Sequence, residues 1–148
     1  MNETIVDGID RYWLSDNTVA AYMFHRIDDE RAEVLSQSIM ATLHDWPPDV
    51  PFRVIFNVSI AGSSMNYMMA TSEQVYNVGV TEEGRAAVDA FLAEHPDFRI
   101  HLALVLSKAI SGQKVYVSGA KGETHHPQIT GGMFFDMEHA LDWVLDQP

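Results

Sequence analysis

Phe52-Arg53-Val54-Ile55-Phe56-Asn57-Val58 is the stretch whose reading decides the fold. Its apolar side chains form a nearly unbroken run after the stop signal Pro47-Pro48, the pattern of a strand buried on both faces of a sheet. This places it in the middle of the molecule. Asn57, Ser59 and Gly62-Ser63-Ser64 break the run, and Met65, Met68, Met69 and Ser72, spaced by three and four, restart it as a helical stripe. A strand, a polar loop and a helix start therefore follow one another. In an open α/β sheet, ligands and partners meet the fold at the carboxyl ends of strands.

Working outward from there, Ile9 to Leu14 and Thr18 to His25 read as two strands joined by the turn Ser15-Asp16-Asn17. The second is apolar throughout, which puts it inside the sheet and the first strand at an edge. Asp28-Asp29-Glu30 supplies a cap and an acidic first turn for a helix whose apolar face is Leu35, Ile39, Leu43 and Trp46, ended by Pro47-Pro48. Ser64 caps the helix that runs through Val75 and Tyr76, and Gly79 stands where a left-handed closing residue would go. Thr81-Glu82-Glu83 opens the next helix, which ends at His95-Pro96. Phe98 to Leu106 is a further buried strand. Residues 107–122 mix strand-favouring Val115-Tyr116-Val117 with three glycines and are read as a crossover helix. A loop over 123–132 leads to a short last strand, Met133-Phe134-Phe135, and Asp136 caps a final helix with Met137, Ala140, Leu141, Val144 and Leu145 as its apolar stripe. The expectation is one α/β domain over residues 1–148, with a mixed sheet of about five strands: an antiparallel hairpin, then parallel crossovers with flanking helices.

Composition narrows the function. With no cysteine among 148 residues, a disulfide framework, a thiol nucleophile and a cysteine-ligated metal are all excluded, which favours a cytoplasmic address. No apolar run approaches the ~18 residues of a membrane span. Nine Lys and Arg against twenty-one Asp and Glu give a formal charge of −12, which repels nucleic acid and anionic lipid. Exposed edge strands leave a homodimer open.

The element order resembles the anti-sigma-factor-antagonist family, called STAS or SpoIIAA-like. Phe134-Phe135-Asp136 followed by Glu138, Ala140, Leu141 and Trp143 looks like that family's closing motif, an aromatic and an Asp before a Glu-Ala-Leu-x-Trp helix. Gly62-Ser63-Ser64 occupies the place of its regulatory loop. The resemblance implies a SpoIIAA-like fold and a non-catalytic regulatory module that binds a protein partner through this loop, with Ser63 or Ser64 as phosphorylation site. Where regulatory members carry an acidic residue before the serine, this chain has Ala61-Gly62. A likeness to lipid-carrying domains of the CRAL-TRIO kind implies the alternative, a carrier or sensor of a small apolar ligand.

The residues themselves offer the same two roles. Gly62, Ser63 and Ser64 at a helix start suit an anion or phosphoryl group, though Ser64 also serves as a plain cap. Tyr67 and Met68, beside Met65, Met69 and Tyr76, either line an adaptable pocket or pack the interior. His125-His126 point to opposite sides of an extended loop and so do not share an ion; one of them with Glu123 or His101 is the remaining metal reading. Neither a Walker loop nor a Gly-x-Ser-x-Gly elbow occurs, so the reading is non-catalytic, without cofactor or metal.

Overall fold

The computed structural model describes residues 2–62, 76–108, 124 and 126–148. Six strands form one mixed sheet: β1 (Asn2–Val6), β2 (Ile9–Leu14), β3 (Val19–Phe24), β4 (Phe52–Asn57), β5 (Ile100–Val105) and β6 (Ile129–Phe134). Among the described residues three helices accompany it, α1 (Asp29–Asp45), α2 (Glu82–Glu94) and α3 (Met137–Asp146). Spatial order follows chain order from β1 to β6; β1–β2–β3 pair antiparallel and β3–β4–β5–β6 parallel. The α/β class, the opening hairpin and the parallel continuation are those expected.

Among the described residues the strands number six, where about five were expected. Asn2–Val6 pairs with β2 through a register shift between Thr4 and Val6, and Gly8 (φ +97°) turns the chain between them. Thr4 is exposed and Ile5 half-buried, so no continuous apolar run marks this strand in the sequence. The edge thus passes from β2 to β1. The last strand also starts earlier than Met133. Ile129, Thr130 and the pair Gly131-Gly132 belong to it, because rings occupy the space that larger side chains would need. A Cβ on Gly131 would lie 2.5 Å from the Tyr76 ring, and one on Gly132 2.9 Å from that of Phe134.

Alternation along the strands builds two cores. Tyr22, Phe24, Val54, Phe56, Leu102 and Leu104 face α1 and α2, where they meet Leu35, Ile39, Leu43, Val88 and Leu92. Val19, Ala21, Ile55, Ala103 and Val105 face the other way, towards Ala140 and Val144 of α3. β4 lies between β3 and β5 with Phe52, Val54 and Ile55 wholly buried, as its sequence requires. Each helix begins on the residue that its sequence marks as a cap. Asp28, Thr81 and Asp136 accept from the backbone N–H groups of Arg31, Gly84 and His139 at 2.9, 2.8 and 2.8 Å.

Gly79 departs from its expected role. Its φ is not left-handed; Val80 holds that conformation instead (φ 72°). Gly79 is small because its main chain lies directly against Gly84. The hairpin turn Ser15-Asp16-Asn17 has three consecutive left-handed residues, at φ 52°, 56° and 64°. Asp and Asn tolerate this region better than serine. Ser15→Gly is expected to stabilise the protein by about 0.5 kcal/mol, the left-handed penalty relieved less the extra entropy of glycine in the unfolded chain. A urea midpoint below that of the wild type would contradict this. Among the described residues no helix is long and apolar enough to cross a membrane.

Candidate functional site

The central strand ends in a bend held by its own side chains. Asn57, 4% exposed, accepts through Oδ1 from the Ser59 N–H at 3.0 Å and the Ser59 hydroxyl at 2.6 Å. This is an Asx turn, in which a short amide replaces the missing strand partner. The Val58 N–H still donates to Val105 (2.9 Å), and the Ala61 N–H returns to Val58 (3.0 Å), so the chain leaves the sheet abruptly. Ile60 stands at the tip, 56% exposed. Gly62 follows at φ +98° with open space around it, a glycine required by conformation rather than by crowding. Of the predicted site residues, Gly62 is therefore on the rim; Ser63, Ser64, Tyr67 and Met68 lie outside the described residues.

The carboxyl ends of β5 and β6 reach the same rim. The Leu106 N–H donates to Phe134 (2.9 Å), and α3 starts immediately beyond it. Asp136 caps that helix and also meets the His139 ring, its Oδ2 2.7 Å from Nδ1. The His139 backbone N–H, then its side chain, hold the Asp136 carboxyl below the ordinary carboxylate range. The hydrogen bond to Asp136 pushes the imidazole up. Oδ1 caps the helix, and Oδ2 is engaged by the His139 ring. Ser59 Oγ is bonded to the Asn57 amide oxygen.

The strand order increases without reversal across the whole described sheet, so the crevice that a reversal opens in doubly wound folds is not formed here. A hollow exists instead on the α3 side of the sheet. It is a cleft of about 210 Å³ with an apolar wall, lined by Tyr12, Leu14, Ala21, Met23, Asn57 and Met137. Sequence reading missed it, since the unbroken run Val19 to Phe24 reads as covered on both faces while α3 stops short of Met23. A signal was available in the apolar alternation of Tyr12 and Leu14 on β2.

The apolar pocket expected between the Met65 to Tyr76 segment and the sheet falls almost entirely outside the described residues. Tyr76 itself, 3% exposed, sits over Gly131 on the opposite face from the cleft, and burial pushes its phenol up to about 12. His125 and Glu123 also lie outside. His126 shapes its loop, with Nδ1 accepting from the Gln128 N–H at 3.1 Å. His101 is buried and bonded through Nε2 to the Pro148 carbonyl at 3.1 Å. Among the described residues no three His, Asp or Glu side chains converge as metal ligands. In comparisons with known proteins, this chain matches no family model, no curated protein and no solved structure.

Proposed function

We propose that this chain is a non-catalytic protein-interaction module of the cytoplasm that engages its partner through the rim at residues 57–62 and the start of α3. The observation that carries the reading is the bend itself. A central strand buried at every position but Arg53 delivers a side-chain-locked turn to the surface and leaves Ile60 exposed at its tip. A rigid, partly apolar projection costs little entropy to bind. The STAS-like sequence features support the same end of the sheet. Ser63 and Ser64, next along the chain, are the residues whose phosphorylation would regulate the contact by adding charge.

A photo-crosslinking residue placed at position 60 in cells is expected to give discrete higher-mass adducts. The same residue at Asp97, in the turn before β5 at the opposite end of the parallel strands, should give none. Ile60→Asp should change stability by no more than about 0.5 kcal/mol, as for other exposed positions, while reducing recovery of the partner at least tenfold. Adducts of equal yield from both positions would refute the rim as the contact.

A further inference from the structure

α3 packs against β4, β5 and β6, and its core cluster fades out at Tyr12, Leu14 and Met137. The same face over β1, β2 and β3 has no helix on it among the described residues. Register defines that face: Tyr12 lies opposite Ala21, Leu14 opposite Val19, and Asp10 opposite Met23. Small Ala21 forms the floor, larger Tyr12, Leu14 and Met23 rise around it, and Met137 closes the side nearest α3, giving the 210 Å³ cleft. Methionine at both margins allows the walls to adapt to an incoming side chain.

Carboxylates outnumber cations around this cleft, although Lys108 stands close enough to act on the Asp136 carboxyl beside Met137. Asp10 projects from the same face as Met23, Asp16 stands in the turn after Leu14, and α3 carries exposed Glu138 beside Met137, with Asp142 exposed one turn further on. No Lys or Arg of β1, β2 or β3 shares the face. Arg11, the only one in these strands, points to the other side, where it binds Glu3 (2.9 Å) and Thr42 (3.1 Å). Arg26 and Arg31 are paired with Asp7 and Asp28, and Arg53 is committed beneath the end of α3. The His25 ring faces Asp10 at 3.4 Å.

An apolar hollow bordered by acids complements a chain that is apolar on one side and cationic on the other. A second copy of this protein would bring a formal charge of −12 against the same sign. We infer that the cleft between Tyr12, Leu14, Met23 and Met137 receives a cationic amphipathic segment of a partner protein. This rests on the interaction-module reading and gives the partner its chemistry.

The test uses the full chain and two fluorescent peptides of about fourteen residues, one an amphipathic Leu/Lys helix and one Leu/Glu with the same apolar face. The Leu/Lys peptide is expected to bind at least tenfold more tightly, to weaken as salt is raised, and to shift amide resonances at Tyr12, Leu14, Met23 and Met137. Met23→Lys should weaken it at least tenfold. The exposed pair Glu138→Gln and Asp142→Asn, which leaves the apolar wall intact, should weaken it about threefold. Equal binding of both peptides, an unaffected Met23→Lys, or resonance shifts confined to the α1 and α2 side would overturn the inference. So would a small apolar molecule that co-purifies in native mass spectrometry and must be removed before the peptide binds. Failure here with adducts still forming at position 60 would remove the cationic segment and leave the rim contact; loss of the adducts with peptide binding retained would do the reverse.

Discussion

Gly84→Ala is expected to destabilise the protein by about 3 kcal/mol or more, although it places a better helix former in α2. Helix propensity alone favours the substitution by roughly 1 kcal/mol. Sterics reverse the sign. A Cβ on Gly84 would stand 2.0 Å from the Gly79 carbonyl oxygen and 2.3 Å from Ser36 Oγ, while one on Gly79 would stand 2.2 Å from the Gly84 carbonyl carbon. Both glycines touch main chain, so relief requires a backbone shift. The segment that would have to shift is locked. Asn77 accepts from the Gly79 N–H at 3.0 Å and donates to the Thr81 carbonyl at 3.1 Å, and Thr81 caps α2 through the N–H of Gly84 itself. Val80 already holds φ 72°, a conformation that a β-branched residue adopts only when its surroundings impose it.

For a domain of this size the loss corresponds to a melting temperature lower by about 6–12 °C. Gly62→Ala is the control. Unlike Gly84 it is left-handed (φ +98°), but a Cβ there meets nothing within 4 Å, so its cost should stay at about 1–2 kcal/mol. A Gly84→Ala protein as stable as the wild type would show that α1, α2 and the turn at 77–81 are not wedged together through these two glycines.

What the sequence disclosed and what it hid follow from one physical distinction. Phe52 to Val58 was legible because a strand covered on both faces leaves no polar alternation to confuse it. The caps at Asp28, Thr81 and Asp136 were legible because a side chain bonding its own N-terminal turn is a local event. Asn2–Val6 was not, since a half-exposed edge strand needs only its neighbour's backbone. Gly131-Gly132 reads as a loop because the reason for its smallness, the Tyr76 ring on one side and those of Phe134 and Trp143 on the other, comes from distant parts of the chain or across the strand. The cleft was hidden for a similar reason. How far α3 extends over the sheet depends on where Arg53 anchors its far end, a contact across 91 positions of sequence.

That anchor carries the second large effect. α3 has no basic residue in its last turn, and Asp142 and Asp146 put negative charge near its negative end. Arg53 supplies the missing cation from β4, with Nε donating to the Val144 carbonyl at 2.9 Å and Nη2 to Gln147 at 2.7 Å. Arg53→Met keeps most of the packing stem and removes both charged hydrogen bonds, so a loss of about 2–3 kcal/mol is expected near pH 8.

His101, adjacent to Arg53 across the β4–β5 pairing, adds a pH signature. Its Nε2 bonds the Pro148 carbonyl, and its Nδ1 is buried without a partner. Burial first, then the positive charges of Arg53 and Arg99, push the imidazole below its ordinary 6.5, against the pull of the Pro148 carbonyl. Above 6.5 the ring is neutral whether the chain is folded or not. As pH falls through that value the unfolded chain takes up a proton that the folded one resists, so stability drains until the lower folded value is passed. His139 acts with the opposite sign, its raised pKa adding stability at low pH that is lost as pH rises through the folded value. Because both proteins carry His139, its share cancels in the comparison. The Arg53→Met protein should therefore start lower at about pH 8 and lose less between about pH 7 and 5.5, for one of the charges that depresses His101 is gone. Denaturant midpoints across that range decide the matter. Parallel curves would separate His101 from Arg53, and equal midpoints at the alkaline end would mean that α3 is held over the sheet, and the cleft kept open at its margin, without the guanidinium.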